Sequence, residues 1–319
     1  MSFMNILIVG AGAIGVAVGT ALQTSGVSVT FLARGETKAA IQQGGIHRIG
    51  LLGEAHCPPD AVTVTDSYDQ LPRDTFDYVI ISVKAMANEE VCQQLASHAD
   101  ILTRDGKLVL FQNGWGNDEV YLRRFPQDRV CCGRLVTGFR RTEPNISEIT
   151  VHSAPVLLGN LYGLDVEPLR PLAQALDAGG IPADVTQDVA AALWAKMLYN
   201  CSLNPLGAVL GLCYGDLTRC PEGNAILSAI VDEVFAVMTA SGYHTYWPTA
   251  DAYKQELFGH LIPTTYAHVS STLQDIQRKH PTEIDILSGK IIQLGEAHGI
   301  DVPVNRMLYR QIKLLEANY

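Results

Sequence analysis

Along the first half of the chain, short continuous apolar runs alternate with segments of helical spacing. Asn5-Ile6-Leu7-Ile8-Val9 ends in a glycine, Val27-Ser28-Val29-Thr30-Phe31-Leu32 is rich in β-branched residues, and residues 78–83 and 108–111 repeat the pattern. A strand that is apolar without alternation is buried on both faces, as in a parallel sheet covered by helices. Between these runs, residues 16–25 and 88–102 suit helices. The alternation predicts an α/β domain with a doubly wound sheet.

The second half changes character near residue 188. Residues 189–203 and 224–241 are long, apolar and helix-compatible. Residues 281–298 open with a proline suited to a first helical turn and end at Gly299, a fitting C-terminal cap. Few strand signals remain. The expected organisation is a nucleotide-binding domain over residues 1–187 and an all-helical substrate and catalytic domain over 188–319. A cleft between two such domains is a default ligand site.

Composition narrows the partners. With 23 Lys+Arg against 33 Asp+Glu in 319 residues, the formal charge is −10. A general nucleic-acid binder needs a basic footprint, and an anionic membrane surface would repel this chain. Neither nucleic acid nor membrane is expected. Seven cysteines occur without a C-x-x-C pair, which fits reduced thiols in a cytoplasm and signals no metal or redox motif. The apolar stretch 6–22 resembles the core of a signal peptide, but the first basic side chain is Arg34, so a positive leading region is missing. Its glycine spacing indicates strand, turn and helix instead.

That spacing is Gly10-Ala11-Gly12-Ala13-Ile14-Gly15, a G-x-G-x-x-G string between a predicted strand and a predicted helix. Gly10 would make the tight turn, Gly12 would admit a pyrophosphate against the backbone, and Gly15 would let helix and strand pack closely. The helix start supplies N–H donors for the phosphates. The domain is therefore expected to be Rossmann-type. At the end of the second strand an NAD enzyme would carry an acid for the ribose 2′-hydroxyl. This chain has Leu32-Ala33-Arg34-Gly35, and an arginine can fork onto a 2′-phosphate. NADP(H) is the expected cofactor.

Lys196, Asn200 and Asn204 follow one another at four-residue intervals in an otherwise apolar helix. The spacing places them on one face. An ammonium and two carboxamides there suit a polar ligand, although a solvated stripe on an amphipathic helix has the same pattern. Lys84 and Asn113 follow the third and fourth strands, where open α/β sheets bind ligands.

Taken together these residues resemble the ketopantoate reductase (2-dehydropantoate 2-reductase) family. The resemblance rests on Gly10 to Gly15, Arg34, Ser82-Val83-Lys84, Gln112-Asn113-Gly114-x-Gly116, Lys196-x-x-x-Asn200-x-x-x-Asn204-Pro205, and Ser270-Ser271-x-Leu273-Gln274-Asp275 followed by Thr282-Glu283-Ile284-Asp285. It implies NADPH-dependent reduction of ketopantoate to pantoate, in pantothenate and coenzyme A biosynthesis. Lys196 would be the catalytic acid. Asn113, Asn200, Asn204 and Ser271 would hold the substrate, and Glu283 the nicotinamide ribose. Asn113 and Lys84 would flank the nicotinamide and its ribose, and the backbone near Phe139 would approach the cofactor. Two departures stand out. Tyr214 occupies a position where some members carry a substrate-contacting Asn, and residues 134–155 lack the small and glycine-rich residues common there.

A lysine ammonium suits ketone reduction because it can polarise the carbonyl oxygen and then donate a proton. Two other readings stay open: a reductase of another 2-keto acid or imine, and a non-catalytic NADP(H) sensor. A homodimer is likewise left open. Tyr309-x-x-x-Lys313 matches the tyrosine–lysine pair of short-chain dehydrogenases, but its terminal position and the form of the glycine loop argue for coincidence. No H-E-x-x-H or comparable cluster suggests a metal. Arg34, Lys84, Lys196 and the loop N–H groups would make a local positive site on an acidic protein.

Overall fold

The computed structural model describes residues 4–319. These divide into two compact units, one of residues 4–112 and 117–189, the other of 113–116 and 190–319. The four residues Asn113–Gly116 depart from the simple division at residue 188.

Among the described residues the first unit carries twelve strands: β1 (Asn5–Val9), β2 (Ser28–Leu32), β3 (Ile46–Gly50), β4 (Ala55–Cys57), β5 (Thr63–Thr65), β6 (Phe76–Ile81), β7 (Leu102–Leu110), β8 (Val130–Arg134), β9 (Thr137–Glu143), β10 (Ile146–His152), β11 (Val156–Gly159) and β12 (Ala183–Val185). Its helices are α1 (Ala13–Thr24), α2 (Gly35–Gly44), α3 (Asn88–Ser97), α4 (Asp118–Tyr121) and α5 (Arg170–Ala178). Eight strands form one sheet in the order β12-β11-β8-β7-β6-β1-β2-β5. Pairing is parallel from β5 through β8, and β11 is antiparallel to β8. The chain runs outward from β1 to β2 and β5, then returns to β6 on the other side of β1. The order therefore reverses between β1 and β6, the switch point where such sheets bind ligands. Leu7, Ile8, Val79 and Ile80 are fully buried, as continuous apolar strands require.

A second sheet, β4-β3-β10-β9, was not foreseen from the pattern. It explains why α1 is apolar nearly all round. A helix on an open sheet needs one apolar stripe, yet Gly15 through Leu22 are all buried. One side of α1 meets the first sheet, where a Cβ on Gly19 would lie 2.2 Å from the Phe31 ring. Its other neighbours include β3, β4, β9 and β10. Ser147 Oγ on β10 donates to the Ala13 carbonyl at 2.6 Å. Arg48 on β3 is buried and donates to the carbonyls of Gly179 at 2.7 Å and Leu52 at 3.3 Å. Burial lowers its pKa from the ordinary value, and these carbonyls supply part of the solvation it has lost.

The second unit is helical among the described residues: α6 (Val189–Leu210), α7 (Pro221–Ala240), α8 (Ala250–Glu256), α9 (Ile262–Thr264), α10 (Ser271–Gln277), α11 (Ser288–His298) and α12 (Pro303–Glu316). By length and composition α7 could cross a bilayer. In the fold its buried stripe, Leu227, Ile230, Val231, Val234, Val237 and Met238, faces helical neighbours that include α11 and α12. Glu233 on α7 caps α12, accepting from the backbone N–H of Val304 at 2.8 Å and of Asn305 at 2.9 Å. This meets two of the N–H groups that a helix start leaves without an intrahelical partner.

One helix expectation needs correction. Pro281 does not open a helix. Thr282 is tied instead to Glu316 on α12 through its N–H at 2.7 Å and its hydroxyl at 2.6 Å. A single 3₁₀ turn follows at Ile284–Ile286, and the helix begins only at Ser288. Gly299 does end it, in the left-handed conformation at φ 68°.

Candidate functional site

The glycine loop follows β1 and opens α1, as its spacing indicated. Gly10 has φ 102°, and a Cβ there would stand 2.7 Å from Val83 Cγ1 and 2.9 Å from its backbone nitrogen. A Cβ on Gly15 would fall 2.0 Å from the Gly10 carbonyl oxygen. Only glycine satisfies both approaches. Gly12 differs, because a Cβ there would meet nothing within 4 Å. Its backbone borders open space at the start of α1, where a helix presents N–H groups without intrahelical partners. The loop thus fits a pyrophosphate: two glycines close the turn and the third leaves room for the ligand. Ser82 helps fix it, its hydroxyl donating to the Gly10 carbonyl at 2.7 Å.

A groove of about 320 Å³ runs from this loop to the end of β2. Gly10, Ala11, Gly12, Arg34, Tyr68 and Val83 are among its lining residues. Arg34 is exposed and faces Glu90 Oε1 at 3.4 Å. Tyr68 is 6% exposed, and its buried hydroxyl has no hydrogen-bond partner among the described residues. Burial raises the pKa of that phenol well above the ordinary value, so it stays a neutral donor. Lys84 lies on the exposed turn after β6, outside the groove lining. Phe139 on β9 packs on the core of the unit, whereas Arg141 of the same strand lines the groove. The family resemblance pointed to the backbone near Phe139, and gave the Arg141 side chain no role.

In the second unit Asn113 joins two of the expected residues. Lys196 Nζ donates to Asn113 Oδ1 at 2.6 Å, and Asn113 Nδ2 donates to Glu283 Oε2 at 3.2 Å. The three side chains are all half-buried. Asn113 is held there by its neighbours. Gly114, at φ 87°, lies so close to Ile286 that a Cβ would be 2.6 Å from the Ile286 carbonyl oxygen. The Trp115 N–H donates to that same oxygen at 3.1 Å. The Trp115 ring contacts Trp194 at 4.9 Å and Tyr243 at 4.7 Å between centroids. The short segment is thus fastened on one side to the turn after Glu283 and on the other to α6, two residues before Lys196. This aromatic anchor had no motif to announce it.

Further along α6, Asn200 and Asn204 are buried at 8% and 4% exposure. Tyr214 is buried beside them, and its hydroxyl donates to Asn204 Oδ1 at 2.6 Å. Burial pushes the Tyr214 phenol far up in pKa, so it remains protonated and the Asn204 amide is left with its N–H groups as donors. Ser271, by contrast, is the exposed first residue of α10. Its neighbour Ser270 is the buried one, capping α10 through the Leu273 N–H at 3.0 Å and reaching the Asn204 carbonyl at 3.4 Å. Adjacent serines at a helix start cannot be ranked from sequence, because the helix register decides which one turns inward.

Tyr309 and Lys313 both serve Asp285, at 2.8 Å and 3.3 Å. They tie α12 to the turn after Glu283, which gives this pair a structural use. Among the described residues no cluster of His, Cys, Asp and Glu could hold a metal.

Comparisons with known proteins agree with this architecture. The family model described as "Ketopantoate reductase PanE/ApbA" matches residues 6–162, and its C-terminal companion matches 188–316. The 2-dehydropantoate 2-reductase of Aquifex aeolicus is 32% identical, over 98% of this chain and 97% of that protein. The solved 2-dehydropantoate 2-reductase of Geobacter metallireducens is 25% identical with a TM-score of 0.87, covering 98% and 99% of the two chains. The PanE/ApbA family ketopantoate reductase of Ralstonia eutropha is 26% identical with a TM-score of 0.85, covering 99% of each. The chain belongs to the ketopantoate reductase family of oxidoreductases.

Proposed function

We propose that this protein reduces 2-dehydropantoate to pantoate with NADPH, serving pantothenate and coenzyme A biosynthesis in the cytoplasm. The observation that carries the reading is the set Lys196, Asn113 and Glu283, joined at 2.6 Å and 3.2 Å beside the buried amides of Asn200 and Asn204. When bound, the cofactor supplies the hydride. The chain's own residues do the rest. The Lys196 ammonium polarises the ketone oxygen and delivers a proton to it as negative charge develops there, then regains one from solvent. Asn113 Oδ1 aims that ammonium. Glu283 accepts from ribose hydroxyls of the nicotinamide side, with Lys84 and Asn113 flanking. Asn200, Asn204 and Ser271 hold the keto acid. In the first unit the glycine loop takes the pyrophosphate, the β9 backbone near Phe139 borders the cofactor, and Arg34 takes the 2′-phosphate.

Tyr214 favours a second reading of the substrate. With Asn204 Oδ1 occupied by the Tyr214 hydroxyl, this pocket offers donors where some relatives offer a second amide, which suits another 2-keto acid equally.

The test is Lys196→Ala. The expected result is a kcat lower by about 10²–10⁴-fold, the usual scale of acid–base catalysis, with NADPH binding retained by direct titration. A kcat near wild type in a folded variant would remove Lys196 from the role.

A further inference from the structure

We propose that Arg141, a residue of the second sheet, is a second cofactor-discriminating residue that grips the adenosine 2′-phosphate opposite Arg34. This rests on the NADPH reading above and deepens it. Arg34 caps the start of α2, just after β2, and Arg141 lies on β9, more than a hundred residues later, yet both line the same groove. Thr37, in the first turn of α2, lines it too. Arg141 Nη2 donates to Thr37 Oγ1 at 2.6 Å and to the Pro144 carbonyl at 3.2 Å. The remaining N–H groups of the guanidinium are available to a ligand, because arginine carries five donors.

The charges around this end of the groove point the same way. Lys38 is neutralised by Asp66 at 2.9 Å. Glu36 is exposed in the first turn of α2, and Glu90 is the carboxylate among the lining residues. It faces Arg34 alone, at 3.4 and 3.5 Å, so Arg141 keeps its charge uncompensated within the groove. Two guanidiniums and a threonine hydroxyl lining one groove suit a dianionic monoester, which can accept a fork from each arginine. A ribose 2′-hydroxyl offers no such charge. Tyr68 lines the same groove, and its buried hydroxyl has no hydrogen-bond partner among the described residues. The second sheet therefore does more than cover α1: it delivers a cation to the cofactor site.

The experiment is calorimetric titration of the intact protein with 2′,5′-ADP and with 5′-AMP, which lacks only the 2′-phosphate. Wild type, Arg34→Ala, Arg141→Ala and Arg141→Lys are compared. The expected result is that Arg141→Ala weakens 2′,5′-ADP by about ten- to a hundredfold, the scale of one charge-assisted hydrogen-bonded contact. Binding of 5′-AMP should stay within about threefold, and Arg141→Lys should fall between, since a point charge replaces the fork. If Arg34→Ala loses 2′,5′-ADP while Arg141→Ala keeps it, the proposal is overturned and the NADPH reading stands. An equal loss of both nucleotides in Arg141→Ala also overturns it, as a merely structural effect. If wild type binds 2′,5′-ADP no more tightly than 5′-AMP, the NADPH reading itself fails.

Discussion

The two candidate binding regions are built in opposite ways. The glycine loop is made of backbone, contiguous in sequence, and its chemistry is the absence of side chains. The Lys196–Asn113–Glu283 set is made of side chains brought together from positions 83 and 170 residues apart. A backbone cradle can be specified by local spacing, because Gly10 and Gly15 are demanded by clashes that any Cβ would cause and Gly12 by the open space a ligand needs. A side-chain cluster is specified only by the fold that assembles it. The first should be fragile to added atoms, and the second to changed charge.

The largest expected effect is on the side-chain region: Lys196→Ala, with kcat down by the orders of magnitude given above. Next comes Asn113→Asp, which places a second carboxylate 3.2 Å from Glu283 and changes what holds Lys196. Misplacing a catalytic group by about 1 Å can cost on the order of 10²-fold, and steady-state kcat should show a loss of that size. An unchanged kcat would show that Asn113 does not aim the lysine.

Within the loop, two alanine substitutions separate folding from binding. Gly12→Ala adds a methyl to open space at φ −81°, so thermal stability should hold while NADPH affinity drops by about tenfold, one lost interaction of ~1.4 kcal/mol. Gly15→Ala drives a Cβ to 2.0 Å from the Gly10 carbonyl. It should lose affinity and also about 1–3 kcal/mol of stability, the cost of overpacking. Denaturation and titration of the pair would break the comparison if both variants behaved alike.

The smallest effect concerns His268, whose ring lies 5.0 Å from Tyr214. Burial lowers its pKa from the ordinary 6.5. The unfolded chain then takes up the proton first, so the stability this creates is present above about pH 6.5 and is lost as pH falls toward the folded value. Denaturant midpoints of wild type should fall between pH 7 and pH 5.5 more steeply than those of His268→Asn. Parallel curves would contradict the assignment.

Legibility followed the same division. The strands β1, β2, β6 and β7 and the helix α6 declared themselves through continuous apolar runs and helical spacing. The second sheet did not, because β4 has three residues and β9 is Thr-Gly-Phe-Arg-Arg-Thr-Glu, polar and largely exposed. Its partner β10 also pairs with β3, a hundred residues earlier, a separation that local pattern cannot bridge. For the same reason Arg34 was evident beside the glycine loop and Arg141 was not. Pro281 misled because Glu316, far along the chain, takes up the Thr282 N–H. In the candidate site the residue types were legible, while the burial of Ser270 beside an exposed Ser271 and the anchoring of Asn113 by Trp115 required the fold.

The most direct test of the central claim is the rate of NADPH oxidation by the wild-type protein across a panel of 2-keto acids. The account predicts the highest kcat/KM for 2-dehydropantoate. Turnover of another keto acid with none of 2-dehydropantoate would contradict it.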